Sequence, residues 1–170
     1  DHTDYLNGPT FDPRAPYSMF GIAKVDAAEQ TVANQSLIGG YGATAPDRAY
    51  VNYSSGGFIR ATAGNNGGAS FPGAAYKDGV WQFVLMTYDG SGAAEDSIKV
   101  QIDGRWYLGT AALSAEPSGT LTFRIGFSAS GGATFAGWVA AAGLFSADLS
   151  GEAQAADLLT VQRAAMGYMR

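Results

Sequence analysis

Hydrophobic and polar residues alternate along most of the chain, in short runs that end at glycine, proline, asparagine or aspartate. A period of two is typical of strands that bury one face, and the turn-forming residues mark where strands end. The pattern predicts nine strands: Tyr17–Ala23, Ser36–Gly40, Ala49–Tyr53, Phe58–Ala63, Trp81–Tyr88, Ser97–Ile102, Arg105–Ala111, Leu121–Phe127 and Gly137–Phe145. The 170 residues therefore favour one all-β domain, residues 1–170, built from two packed antiparallel sheets.

The sharpest local signal is Asp103-Gly104, which stands between two alternating runs. Aspartate and glycine both tolerate the positive φ angles of a type I′ turn, the tight connection that suits a hairpin. The sequence therefore predicts a hairpin in which Gln101 faces Trp106. This pairing places Trp106 on the same face of the sheet as Lys99 and Gln101.

Helical periodicity occurs only near the C-terminus, where Leu158, Ala165 and Met169 recur after Ser150, a candidate N-cap. This spacing predicts one short terminal helix packed on the sandwich. In contrast, Gly64–Gly73 has no periodicity and many turn formers, so we expect a surface loop there.

Composition and charge narrow the range of partners. Fifteen acidic and ten basic residues give a net charge of −5, and such a chain has no overall field that attracts a polyanion, so no nucleic acid partner is expected. No run approaches the ~20 apolar residues of a membrane span, and no membrane insertion is expected. Cysteine is absent and the single histidine, His2, lies beside the N-terminus, which argues against thiolate metal sites and histidine-based catalysis.

Four stretches of the chain carry a recurring strand signature. They are Tyr17–Ala23, Trp81–Gly90 with its Tyr-Asp-Gly turn, Ile98–Gly104 ending in Asp-Gly, and Phe135–Ser150. In this order they resemble laminin-G-like domains of the concanavalin A-like lectin and glucanase superfamily. The resemblance implies a jelly-roll sandwich of the concanavalin A-like type. A large aromatic residue that opens a strand can fill one end of such a core, so we expect Trp81 to be buried between the sheets.

The catalytic acids of related hydrolases have no equivalent here. Hydrolases of that superfamily carry two glutamates and an aspartate at alternate positions of one strand, where all three point into the cleft. The glutamates of this chain all lie outside the predicted strands: Glu29, Glu95, Glu116 and Glu152. Alginate-lyase relatives share a histidine-containing signature, which is missing because His2 is the single histidine. We therefore expect no enzyme, and an unusual glycan hydrolase or lyase is the last-ranked hypothesis.

One loop carries a possible metal site. Many laminin-G-like relatives bind calcium with loop carboxylates, and Asp89, Glu95 and Asp96 supply oxygen ligands of the kind that Ca²⁺ takes. The spacing is not that of an EF-hand, and solvated turn carboxylates are the alternative interpretation. No cofactor is required by the predicted fold, and calcium is the one ion that this loop suggests.

The predicted hairpin carries the first candidate sugar site. Aromatic rings stack on sugars while amides and charged groups bind the hydroxyls, and Trp106 lies with Gln101 and Lys99 on a polar face. The alternative is that Trp106 packs under a neighbouring loop or the C-terminal helix.

A second aromatic and amide cluster lies in a segment where the family resemblance is weak, and consists of Tyr41, Tyr50 and Tyr53 with Asn52 and Arg48. Its candidate ligand contacts are Tyr50, Asn52 and Tyr53. Binding loops often occupy such variable stretches. The alternative is structural, because tyrosine has a high strand propensity and is commonly half buried.

Together these features favour a non-catalytic carbohydrate-binding or adhesion module, lectin-like in fold. Its partner would be a glycan or glycosylated surface, and its location extracellular or on a virion surface. The alternative is a virion structural protein, such as a phage decoration, tail or fibre component. In that role the sandwich would pack against copies of itself or other virion proteins, which the low content of charged residues, 15%, would suit.

Overall fold

The structure is a computed structural model that describes residues 5–26, 35–42, 48–53, 57–64, 69–91, 97–108, 119–126 and 135–167. These residues form eleven strands and one helix. In chain order they are β1 (Leu6–Phe11), β2 (Tyr17–Val25), β3 (Gln35–Tyr41), β4 (Arg48–Tyr53), β5 (Phe58–Ala63), β6 (Ala69–Ala75), β7 (Trp81–Tyr88), β8 (Ile98–Ile102), β9 (Arg105–Leu108), β10 (Leu121–Ile125), β11 (Gly137–Phe145) and α1 (Glu152–Gly167).

The strands form two antiparallel sheets. The six-stranded sheet has the order β1-β10-β3-β4-β5-β6, and the five-stranded sheet has the order β11-β2-β7-β8-β9. Several pairs of consecutive strands lie in different sheets, so the chain crosses from one sheet to the other several times. The predicted all-β sandwich of two antiparallel sheets with a C-terminal helix is confirmed.

Alternate side chains of both sheets fill the space between them. Met19, Val84 and Val100 of the five-stranded sheet meet Val51 and Phe123 of the six-stranded sheet in one buried cluster. Successive side chains on a strand point to opposite faces, so burying these residues fixes which residues point outward. The apolar core thus determines the composition of both outer faces, meaning the faces directed away from the other sheet.

The predicted Asp103-Gly104 hairpin is confirmed. The two residues have φ angles of 49° and 94°, and Gln101 lies opposite Trp106. A carboxylate oxygen of Asp103 also accepts a hydrogen bond from the backbone N–H of Phe83, at 2.9 Å. The side chain therefore ties the turn to the neighbouring strand β7.

Two strands, β1 and β6, lie outside the predicted set. Both are edges of the six-stranded sheet, and each contains a proline, Pro9 in β1 and Pro72 in β6. Proline lacks the N–H for a central ladder but is tolerated at an edge. The turn-forming residues of these strands explain why the sequence pattern does not predict them. The expected loop at Gly64–Gly73 is wrong from Ala69 onward, where β6 begins.

The expected burial of Trp81 between the sheets is also wrong. Strand β7 directs Val84 and Met86 into the core, so Trp81 points to the outer face. There its ring is partly exposed and lies 5.5 Å from the ammonium nitrogen of Lys24. Trp81 lies an odd number of positions from Val84, so the two side chains point to opposite faces of the sheet.

Helix α1 covers part of the outer face of the five-stranded sheet. Its Leu158 and Leu159 pack against the cluster of Ile22, Phe83 and Leu85. The predicted packing of the terminal helix on the sandwich is therefore confirmed. Among the described residues, no helix is both long enough and apolar enough to cross a lipid bilayer.

Strands β3 and β4 approach closely at Gly39. Its φ of 143° lies in a region that residues with a side chain rarely adopt. A Cβ atom at this position would collide with the carbonyl oxygen of Ala49 and with Tyr50. The close approach therefore requires glycine.

We expect Gly39→Ala to lower the free energy of unfolding by about 2 to 4 kcal/mol, because the methyl group has no space and the backbone angle is strained. Urea denaturation measures this loss. The matched control is Gly119→Ala, where an added Cβ meets no atom within 4 Å and the change should stay within about 0.5 kcal/mol. Equal effects of the two substitutions would contradict the close approach.

The buried tyrosines predict how stability depends on pH. Tyr17 and Tyr53 lie in the core, and burial raises the pKa of both phenols above the ordinary 10.0, because the phenolate would lose its hydration. The unfolded chain therefore releases these protons first. Stability from this source is complete below pH 10 and falls above it, by up to about 1.4 kcal/mol per pH unit for each tyrosine.

Urea denaturation between pH 9 and pH 11 tests this dependence. We expect Tyr53→Phe to lose less stability than the parent protein above pH 10, because one of the two phenols is gone. Parallel pH curves for the two proteins would show that Tyr53 is not buried.

Candidate functional site

The charged residues of the strands all have one sign. The eleven strands contain no aspartate or glutamate, although the whole protein has a net charge of −5. Their charged residues are Lys24, Arg48, Arg60, Lys99, Arg105 and Arg124. The sheet faces formed by these strands are therefore basic, while the acidic residues within the described part of the chain lie outside the strands.

Three of these basic residues lie on the outer face of the six-stranded sheet. Strand β4 directs Ala49, Val51 and Tyr53 into the core, so Arg48, Tyr50 and Asn52 point outward. Residues that lie directly opposite each other on neighbouring strands share a face. The pairing of the strands therefore identifies the rest of this face.

Two further strands of the sheet, β10 and β5, add their arginines to this face. Tyr50 lies opposite Gly39 on β3, and Gly39 lies opposite Arg124 on β10. On the other side, Asn52 lies opposite Arg60 of β5. We call this surface, with Arg48, Arg60 and Arg124 around Tyr50 and Asn52, the arginine face.

The floor of the arginine face is polar and buried. Ser36, Tyr50, Asn52 and Thr62 are each at least nine-tenths buried, with 9% exposure at most, although they point away from the core. The hydroxyl of Ser36 has no hydrogen-bond partner within the described part of the chain. Buried polar atoms are normally paired, so an unpaired hydroxyl in this floor is suited to a ligand or to water.

Two arginines of the face are stacked on tyrosine rings. The guanidinium carbon of Arg124 lies 5.0 Å from the ring centre of Tyr5, and that of Arg48 lies 5.5 Å from the ring centre of Tyr41. Stacking on a ring face holds the planar guanidinium in one orientation. For Arg124, the Nε atom is buried and donates no hydrogen bond to any described residue.

Gly39 lies between Arg124 and Tyr50 on this face, and Tyr50 lies close against its backbone. Arginine donors and a tyrosine side chain therefore surround the polar floor. This arrangement can hold an anionic group, with hydroxyl groups bound beside it.

The predicted cluster of Tyr50, Asn52 and Tyr53 is divided by the sheet. Tyr50 and Asn52 lie on the arginine face, whereas Tyr53 is fully buried in the core, where it packs against Tyr76 and Phe135. The prediction that Tyr53 belongs to the site is therefore wrong. Tyr53 lies an odd number of positions from both Tyr50 and Asn52, so its side chain points to the opposite face of the sheet.

The predicted site around Trp106 lies on the opposite side of the molecule, on the outer face of the five-stranded sheet. Trp106 is partly buried and packs, as Leu158 and Leu159 of α1 do, against the cluster of Ile22, Phe83 and Leu85. Gln101 is 3% exposed, and the ammonium group of Lys99 donates a hydrogen bond to the hydroxyl of Ser150 at 3.3 Å. The helix therefore occupies this face, in line with the alternative that Trp106 packs beneath it.

The predicted calcium loop is only partly described. A carboxylate oxygen of Asp89 accepts a hydrogen bond from the backbone N–H of Ser91, at 2.8 Å, as in a turn. Glu95 and Asp96 lie outside the described residues. Among the described residues, no group of three or more potential metal ligands occurs, and the calcium site stays a prediction.

Arg60 and Arg124 are the site residues that sequence reasoning missed. Both lie in strands that the sequence predicts, Phe58–Ala63 and Leu121–Phe127, and each is the one charged residue of its strand. A charged residue at an alternate position of an apolar strand marks the outward face. The sequence contains that signal. It does not reveal that β10 pairs with β3, which brings Arg124 towards Tyr50.

Comparisons with known proteins identify the fold. No protein-family model matches the chain, and the search of curated proteins found no match. Among solved structures, the CBM40 of the Ruminococcus gnavus IT-sialidase bound to α2,3-sialyllactose is similar, with 16% identity, a TM-score of 0.62, and coverage of 91% of this chain and 92% of that chain. The Trypanosoma rangeli sialidase is similar with 14% identity and a TM-score of 0.66.

The chain spans only part of the second of these proteins. The match covers 88% of this chain and 23% of the T. rangeli sialidase, as it does for the same enzyme in complex with sialic acid, at 17% identity and a TM-score of 0.63. At such identities the likeness establishes a shared β-sandwich fold. The laminin-G-like resemblance and the virion role stay predictions, since the proteins named here are sialidases or parts of them.

Proposed function

We propose that the protein is a carbohydrate-binding module that holds a carboxylated sugar on its arginine face. The observation that carries the proposal is the placement of Arg48, Arg60 and Arg124 around a polar, buried floor, on strands without any acidic residue. The protein has a net charge of −5, so a basic face does not follow from its overall composition. We take the basic face as the mark of a local function.

The chemistry of the face suits such a ligand. A guanidinium group binds a carboxylate through two parallel N–H···O bonds, which fixes both position and orientation. The Nε–H of Arg124 is one such donor. The ring and hydroxyl of Tyr50 then provide the contacts that a sugar ring and its hydroxyl groups require, with the buried amide of Asn52 in the floor beneath.

The comparisons support this choice of ligand. The R. gnavus CBM40 is bound to α2,3-sialyllactose and one of the T. rangeli structures holds sialic acid, a sugar that carries a carboxylate. The similarity of fold extends over 91% of this chain in the CBM40 comparison. We therefore use α2,3-sialyllactose as the probe for the arginine face.

A binding role without catalysis is part of the proposal. Most glycoside hydrolases place two carboxylates beside the bond that they cleave, and the described strands of the arginine face offer none. Glycans with terminal acidic sugars are displayed outside cells, so we place the protein in an extracellular setting. A shallow site with few contacts implies weak affinity, on the order of micromolar to millimolar.

Calorimetric titration tests the proposal. We expect the protein to bind α2,3-sialyllactose and to bind lactose, which lacks the carboxylate, at least about tenfold more weakly, since a lost charged hydrogen bond is worth roughly 1.5 to 3 kcal/mol. Arg124→Ala and Arg60→Ala should each weaken sialyllactose binding by a similar factor.

The control for these variants is Arg105→Ala, which removes an exposed arginine from the five-stranded sheet and should leave the affinity unchanged. Equal affinity for sialyllactose and lactose would show that the protein does not recognise the carboxylate. Loss of binding in Trp106→Ala but not in Arg124→Ala would move the site to the opposite face. Absence of binding to any sugar would favour the assembly hypothesis.

A further inference from the structure

The two sheets have four edge strands, and three of them carry features that discourage pairing with another chain. Strands β1 and β6 each contain a proline, and β9 is only four residues long and begins with Arg105. Proline, charge and short length are the usual protections of a sheet edge. The fourth edge, β11, is nine residues long and contains neither a proline nor a charged residue.

Strand β11 also exposes large apolar side chains. Trp138 is 53% exposed and Phe145 is 37% exposed, one near each end of the strand. A bulge between Val139 and Ala141 interrupts the ladder to β2. Beyond the bulge, Ala141–Phe145 pairs regularly with β2 and offers an uninterrupted edge of five residues for a second strand.

Small and large side chains alternate along this regular segment in a self-complementary way. An antiparallel pairing of two copies, with a two-fold axis at Gly143, places Ala141 opposite Phe145 of the second copy. On the other face of the sheet it places Ala142 opposite Leu144 of the second copy. Each large side chain therefore faces a small one, and Gly143 faces its own equivalent at the axis.

We propose that β11 pairs with the β11 of a second copy of this chain. The two five-stranded sheets then form one continuous antiparallel sheet of ten strands. A two-fold contact needs a surface that is complementary to itself, and the uncharged small-large alternation meets this requirement. Pairing satisfies the backbone N–H and C=O groups of the edge and covers Phe145.

The dimer would have a consequence for ligand binding. The axis of such a pair is perpendicular to the sheet, so both copies keep the six-stranded sheet on the same side. Two arginine faces then point in one direction, and binding to a surface with many glycans gains from avidity. This consequence rests on the proposed function, whereas the dimer itself does not.

Sedimentation velocity over a range of protein concentrations tests the pairing without any glycan. We expect the mass to rise from 17.6 kDa towards twice that value as the concentration increases. Ala141→Lys adds a charge to the edge and should hold the protein at 17.6 kDa. The matched control is Leu108→Lys, at an exposed position of the other edge of the same sheet, which should dimerise as the parent does.

Cysteine cross-linking tests the register and does not depend on the stability of the lysine variant. The chain has no cysteine, so Ala141→Cys with Phe145→Cys introduces the only thiols. Opposed Cα atoms in an antiparallel pair are about 4.5 to 5.5 Å apart, which suits a disulfide, whereas the two positions within one strand are about 13 Å apart, which excludes one. Any disulfide therefore joins two chains.

We expect the double cysteine variant to form a covalent dimer under mild oxidation at least tenfold faster than Leu108→Cys, which reports random collision. The proposal is overturned if the parent protein stays at 17.6 kDa at all concentrations. It is also overturned if Ala141→Lys dimerises as the parent does, or if the two cysteine variants cross-link at the same rate.

Discussion

The apolar contact between the two sheets fixes the register on which the rest of the molecule depends. Val51, Ile59 and Phe123 of the six-stranded sheet are buried against the five-stranded sheet. A slip of one residue in any of these strands would expose the apolar set and bury an arginine, at a cost of several kcal/mol. The arginine face is therefore held in place by side chains on the opposite side of the same strands.

The distribution of charge follows from this constraint. An outward-facing strand position can hold a charged residue without cost, and in the described strands every such residue is basic. The two outer faces nevertheless differ. Helix α1 packs its leucines against the face that carries Trp106. The six-stranded sheet instead keeps a polar floor beneath three arginines, and this difference is the basis of the proposed anion site.

Local patterns in the sequence predict most strands and one hairpin. The bounds of Phe58–Ala63, Trp81–Tyr88 and Gly137–Phe145 agree with the structure, because each run is framed by turn formers. The period of two also separates Tyr53 from Tyr50, since Tyr53 shares its face with Val51. Sequence alone did not give the pairing of β10 with β3, which joins residues more than eighty positions apart and brings Arg124 beside Gly39.

Chemical-shift mapping by NMR tests the central claim, that the arginine face binds an acidic sugar, most directly. The protein is labelled with ¹⁵N and titrated with α2,3-sialyllactose, while the backbone amides and the arginine Nε–H signals are followed. The account predicts that the largest shifts occur at Gly39, Tyr50 and the Nε–H of Arg124. Shifts centred on Trp106 and Lys99, or no shifts at millimolar sugar, would contradict it.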